Sequence, residues 1–174
     1  MRVSLNTNRL RLRPLQSQDA APIARYTSDE GVARMVCAIP RPNPVIAVEG
    51  WMLLLKARAP LKEEFVYALE REGEGLIGCI GAHRRPEGYE LGYWLGRPFW
   101  GQGYATEAVS AFVSETRALG PLGAAHYVDN PASGRVLQKA GFVYTGAVER
   151  RFSLARGEKA EARIMRQEAQ RAAA

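Results

Sequence analysis

The sequence predicts an α+β domain, and three observations predict it. Near the start, Arg9-Leu10-Arg11-Leu12-Arg13 alternates strictly between charged and apolar residues. Between residues 65 and 95, three β-rich runs are separated by short turns bearing glycine or proline. After residue 96 the texture changes to a glycine loop, a helical stripe, a short strand and a second helix. Strands and helices mixed in this way give the α+β class. The 174 residues are the length of one domain and are enough to bury a core without disulfide or metal staples. Hydrophobic residues at 47% and charged residues at 24% exclude wholesale disorder.

Taken in order, the alternation at residues 9–13 puts Leu10 and Leu12 on one face and the arginines on the other, a strand with one dry side. Asp19 is placed to cap a short helix running through Tyr26, with Pro22 at a position where no N–H is needed. Pro40-Arg41-Pro42-Asn43-Pro44 reads as a rigid extended connector. A second helix follows, with Val45, Val48, Met52 and Leu55 at helical spacing, and ends near Pro60. Residues 65–69 and 76–81 form a hairpin about the turn 72–75, and Gly78 and Gly81 inside its second strand indicate a bulge or a close backbone neighbour. Residues 89–95 are a third strand, after a turn at 86–88.

The loop 97–103 then opens a helix at Tyr104, with Ala105, Ala108, Val109, Phe112 and Thr116 on its buried stripe and Gly120-Pro121 as its stop. Residues 124–128 are a strand. Asn130 caps the next helix, with Pro131 at its first position and Gly141 closing it. Residues 142–144 and 160–165 supply the last strands. The order β α α β β β α β α β β holds about seven strands and about four helices. A single domain over 1–174 is expected, with residues 167–174 a loose tail.

The longest apolar runs are too short to span a membrane, and residues 1–12 hold no apolar signal core. Cys37 and Cys79 lie far apart in no CxxC pattern, which argues against a secreted disulfide scaffold or a thiolate zinc site. A cytoplasmic protein without a metal is expected. Lys and Arg outnumber Asp and Glu by 24 to 18, a net charge of +6 that points to an anionic partner: nucleic acid, an acidic membrane face or a phosphorylated cofactor.

Two local signals carry chemistry. Trp100-Gly101-Gln102-Gly103-Tyr104-Ala105 follows a strand and opens a helix. Glycines there let the backbone approach a ligand, and the free N–H groups of the first helical turn, with the helix dipole, favour a pyrophosphate. A Walker loop would need Gly-Lys-Ser/Thr, which is absent, and the dinucleotide fingerprint would need glycine at Thr106. The second signal is Asn130-Pro131-Ala132-Ser133, running on through Val136 and Leu137 to Gly141-Phe142, which puts Ser133 beside a second helix mouth. His83 and His126 sit in strands without clustered carboxylates and read as structural.

Together with Asn8-Arg9-Leu10-Arg11-Leu12-Arg13-Pro14-Leu15, Leu76-Ile77-Gly78-Cys79-Ile80-Gly81 and Glu90-Leu91-Gly92-Tyr93-Trp94-Leu95, these signals run in one order from Arg9 to Phe142. In them the chain resembles the GNAT superfamily of acyl-CoA-dependent N-acetyltransferases, and within it the RimJ/RimL-type ribosomal-protein acetyltransferases. The resemblance implies a central, mixed, mostly antiparallel sheet flanked by helices, with acetyl-CoA as co-substrate. By resemblance, the pantetheine arm pairs with Tyr93-Trp94-Leu95, so Trp94 and Leu95 bind the cofactor. The pyrophosphate lies on Gly101, Gln102, Gly103, Tyr104, Ala105 and Thr106. Asn130 and Ser133 flank the thioester.

Trp100 stands where the superfamily usually has Gln or Arg, and Gln102 or Arg97 is a candidate to replace that phosphate contact. Arg97, Arg135 and Lys139 are the nearby charges assigned to the phosphates. Glu90 is the candidate base for the amine. Leu137 stands where many members have a tyrosine acid, and Ser133 is its candidate substitute. The N-terminal helices, with Tyr26 and Trp51, are expected to cover the pocket of an amine acceptor, either a protein N-terminus or a small amine. A membrane partner is not expected, a homodimer is a candidate assembly, and the scattered arginines give little support to a nucleic-acid-binding module. A CoA-binding sensor that has lost catalysis is the other reading.

Overall fold

The runs expected to be strands pair into one sheet whose central strands are covered on both faces, as the continuous burial of β4 from Leu76 to Ala82 shows. The computed structural model describes residues 4–167. Eight strands lie in the order β1-β2-β3-β4-β5-β6-β8-β7. They are β1 (Leu5–Asn6), β2 (Arg11–Pro14), β3 (Glu64–Arg71), β4 (Gly75–Arg85), β5 (Gly88–Leu95), β6 (Leu122–Tyr127), β7 (Phe142–Ser153) and β8 (Glu158–Gln167). The helices are α1 (Ala20–Thr27), α2 (Glu30–Ala33), α3 (Val45–Arg58), α4 (Tyr104–Glu115) and α5 (Pro131–Lys139). One sheet face packs Leu12, Leu69, Ile80, Leu91 and Leu122 against Val109, Phe112 and Leu137 of α4 and α5. The other packs Ala68, Leu76 and Cys79 against Ala20, Ile23, Ala24 and Val48 of α1 and α3.

One junction shapes the site. Every neighbouring pair is antiparallel except β5 and β6, which run parallel through Tyr89↔Leu122, Glu90↔Gly123 and Leu91↔Ala124 and then part. Beyond Leu91, β5 pairs only with β4, from Gly81↔Gly92 to Gly78↔Leu95, while β6 continues along β8 to Tyr127↔Ala162. The sheet therefore opens at Gly92. Gly78 and Gly81 are the close approaches expected from the sequence: a Cβ on Gly78 would strike the Trp94 carbonyl, and one on Gly81 the Phe65 carbonyl.

Several elements differ from the sequence reading. The two-residue β1 and the four-residue α2 were too short to show a period. Asp19 does not cap α1 with its side chain. Its carboxylate accepts from the Gln16 N–H and from both terminal nitrogens of Arg13. Accordingly β2 has no wet side at Arg13, which is buried like Leu10 and Leu12. In α3 the expected stripe holds in part, with Val48 buried, Met52 half-buried against the core, Leu55 half-buried and Val45 exposed. Ile46, Leu53 and Leu54 are exposed as well, because apolar residues surround this helix and only one side meets α1. Arg166 and Gln167 complete β8, with the Leu122 N–H donating to the Gln167 side-chain carbonyl, and the remainder of the expected tail lies outside the described residues.

Candidate active site

The opening between β5 and β6 leads into a cavity of about 1010 Å³, at the upper end of the roughly 300–1,000 Å³ of small-molecule sites. Its wall contains Glu90, Trp94, Leu95, Trp100, Gly101, Gly103, Tyr104, Ala105, Thr106, Asn130, Ser133, Arg135 and Lys139. Two residues expected to meet the phosphate have other partners in this structure. Arg97 does not line the cavity and turns to Asp29, at 3.6 Å. The Gln102 amide folds back to donate to the Pro98 carbonyl at 2.8 Å.

The glycine loop has the geometry that its sequence demanded. Gly101 and Gly103 have φ of +74° and +82°, the left-handed region that a side chain would strain. The first N–H of α4 with a protein acceptor is that of Glu107, bonded to the Gly103 carbonyl. Among the described residues, the N–H groups of Tyr104, Ala105 and Thr106 are left for an anion. The loop is held from behind by Arg9, which donates to the Gln102 carbonyl and the Glu107 carboxylate and lies over the Tyr104 ring. Arg9, in the bend before β2, thus braces the glycine loop from outside the cavity.

Burial pushes Glu107 up, but hydrogen bonds from Thr7 and Arg9 outweigh it and hold it below its ordinary 4.5. A carboxylate depressed in the folded state stabilises above the unfolded value and loses that effect as pH falls through the folded one. Arg9→Ala is therefore expected to weaken acetyl-CoA binding a few-fold at pH 7. The difference from wild type should vanish progressively below pH 4.5, as checked by calorimetric titration across pH.

Asn130 caps α5 by accepting from the Ser133 N–H at 3.2 Å. The Ser133 hydroxyl faces Tyr93 of β5, and the two oxygens share a hydrogen bond of 2.8 Å. Burial pushes the Tyr93 phenol up to about 12, against the Ser133 hydrogen bond, which lowers it. At neutral pH this pair is a neutral, proton-bearing couple that bridges the strand and helix on either side of the opening. Sequence reasoning missed Tyr93 as a functional group because its partner lies 40 residues away.

The other end of the cavity is charged. Glu64, His83 and Glu90 form one row across β3, β4 and β5. Glu64 Oε1 sits 2.5 Å from His83 Nδ1. Glu90 is held at Oε2 by Arg151 at 2.8 Å and at Oε1 by Arg85 at 3.3 Å. Burial lowers the Arg151 guanidinium, but Glu90 and Glu149 outweigh that and hold it above its ordinary value. Met35, Val36, Ile39, Pro40 and Trp51 give the cavity an apolar wall, while Tyr26 packs on Phe99 and does not line it. His126 is structural, with Nδ1 on the Tyr127 carbonyl and Nε2 on the Tyr144 hydroxyl, each at 2.9 Å. No group of His, Cys, Asp and Glu among the described residues is arranged to hold a metal.

Residues 9–143 match the acetyltransferase (GNAT) domain family. The chain belongs to the GNAT acetyltransferases. GNAT enzymes take their acyl group from acetyl-CoA as co-substrate, and the acyltransferase class follows for this chain. It is 31% identical over 154 residues to the N-acetyltransferase YoaA of Bacillus subtilis, covering 83% of this chain and 85% of that protein. Its fold is that of the ribosomal-protein-S5-alanine acetyltransferase of Vibrio fischeri, with a TM-score of 0.80, 21% identity and coverage of 95% and 96% of the two chains. It also matches RimL, the ribosomal L7/L12 acetyltransferase solved with coenzyme A, with a TM-score of 0.78, 15% identity and coverage of 92% and 94%. Among the described residues no helix is long and apolar enough to cross a membrane.

Proposed function

We propose that this GNAT enzyme acetylates a primary amine by direct attack on acetyl-CoA, with the acceptor entering over the Glu64–His83–Glu90 row. One observation carries the reading: a single cavity joins the unpaired edge of β5 and the anion-seeking mouth of α4 to a carboxylate-bearing end under an apolar wall. The open edge suits an extended amide-bearing arm, and the loop N–H groups with Arg135 and Lys139 suit its phosphates. Two carboxylates at the far end attract an ammonium. An N–H group of the open β5 edge at Trp94–Leu95 would stabilise an oxyanion, worth about 3–4 kcal/mol for one donor. Ser133, backed by Tyr93, is placed to return a proton to the departing thiolate.

A protein N-terminus and a small polyamine both meet these requirements, and the likeness to ribosomal-protein acetyltransferases supports the first. At one hundred times its Kd, acetyl-CoA should stabilise the fold by about 2.7 kcal/mol. For a domain of this size that raises Tm by about 5–10 °C. No shift at millimolar acetyl-CoA would remove the donor site. A shift without thiol release, over peptides with N-terminal alanine or serine and over spermidine, would leave a CoA sensor.

A further inference from the structure

We propose that His83, oriented by Glu64, is the group that takes the proton from the acceptor amine, in place of the glutamate on β5; this rests on the acetyltransferase reading above. His83 lies between Glu64 and Glu90 in one cross-strand row, so all three side chains rise from the same face of the sheet. The two glutamates are differently engaged. Both oxygens of Glu90 are bound by the guanidinium groups of Arg85 and Arg151, and accepting a proton there breaks an ion pair. Glu64 instead holds His83 Nδ1, which keeps that nitrogen protonated and turns the lone pair to Nε2.

Nε2 has no protein partner among the described residues. It lies 3.5 Å from where a Cβ on Gly92 would stand. Gly92 is the first residue of β5 beyond its last bridge to β6, so the bare nitrogen overlies the place where the sheet opens. Glu64, His83 and Gly92 all line the cavity. The charged groups around the imidazole are Glu64 from β3, Arg85 from its own strand, Glu90 from β5 and Arg151 from β7.

In the step, an ammonium N–H bond breaks, its electron pair stays on nitrogen and the proton passes to Nε2. The nitrogen pair forms a C–N bond to the thioester carbonyl carbon as the C–S bond breaks with its pair on sulfur. The second proton lost by nitrogen neutralises the thiolate, and the imidazolium returns its proton to solvent. His83 is then a catalytic residue and Glu64 a positioning residue.

The test is the pH profile of kcat/KM for acetyl-CoA turnover with an alanine-terminated peptide and with spermidine, with acetyl-CoA affinity and Tm measured on each variant. His83→Gln and His83→Asn should each lower kcat/KM at pH 7 by about 100-fold, the low end of general-base effects. Acetyl-CoA affinity should stay within twofold. The pH limb contributed by the base should be lost, leaving the ionisation of the amine itself. Glu64→Gln should lower the rate about tenfold, because Nδ1 loses the carboxylate that orients the ring. Glu90→Gln should keep the limb.

A His83 variant with the wild-type rate and limb overturns the assignment, as does loss of the limb in Glu90→Gln alone. Wild-type protein that binds acetyl-CoA but acetylates no amine overturns the acetyltransferase reading and the assignment together. Failure of that reading is thus separable from failure of His83 alone.

Discussion

Asp19→Ala is expected to lower the stability of the fold by about 3–5 kcal/mol, the cost of leaving one member of a buried ion pair uncompensated. For a domain of this length that is about 6–20 °C in Tm. Arg13 donates to the two Asp19 oxygens at 2.7 and 2.9 Å, a bidentate pair with both side chains almost out of solvent. The same carboxylate receives the Gln16 N–H that starts the turn into α1. Those hydrogen bonds raise the Arg13 guanidinium above its ordinary value against the pull of burial, and an arginine keeps its charge at neutral pH even without them, so removing Asp19 leaves a buried cation. Glu70, at 3.0 Å from Arg13 Nε, compensates in part and places the effect toward the lower end of the range. Urea unfolding of Asp19→Ala and of the double variant Arg13→Met/Asp19→Ala separates the causes. The double variant should be the more stable of the two, because no charge is left buried. A loss below about 1 kcal/mol in the single variant, the scale of exposed pairs, would show that the pair is solvated. Neither residue lines the cavity, so acetyl-CoA affinity should not change.

That pair also marks where the sequence was legible. Alternation at residues 9–13 correctly put Leu10 and Leu12 on one face, but it says nothing of whether the other face is covered. The cover comes from the α1 segment, which brings Asp19 back over Arg13. The glycine loop and the Asn130 cap were readable because their causes are local: φ above zero at Gly101 and Gly103, and a side chain bonding three residues ahead. The Tyr93–Ser133 couple and the Glu64–His83–Glu90 row depend on register between distant strands and helices, where a slip of one residue would turn every side chain to the other face. His83 looked structural in a sequence without neighbouring carboxylates, and both of its glutamates arrive from other strands.

The net charge of +6 resolves in the same way. Arg9, Arg34, Arg41, Arg85, Arg151 and Arg156 are each tied to a carboxylate and fasten loops and strands together. Arg135 and Lys139 are the basic residues of α5 on the cavity wall, at the place where phosphates are expected. The paired arginines are offset by their carboxylates and fasten the fold without adding to the surplus, while Arg135 and Lys139 bring positive charge to the cavity wall.

Gly103→Val is expected to raise the KM for acetyl-CoA by about 10–100-fold, with much less effect on kcat at saturating donor. Gly103 holds φ of +82° as the residue before α4. A β-branched side chain there costs about 1–3 kcal/mol of strain, which the loop can relieve only by leaving this conformation. Its Cβ would also come within 3.3 Å of Arg9 Nη2, and Arg9 is the group that pins the Gln102 carbonyl and Glu107. Moving either one turns the free N–H groups of α4 away from the anion. One such charge-assisted bond is worth about 1.5–3 kcal/mol, which is about 10–100-fold in affinity. The contacts are made equally to donor and transition state, so the loss falls on KM. Gly146→Val is the control: it imposes similar strain at φ of +85° in β7, in open space and away from the cavity wall. Gly146→Val should lose stability while keeping acetyl-CoA affinity. Equal losses of affinity in the two variants would mean that strain in the fold, and not aim of the loop, governs binding.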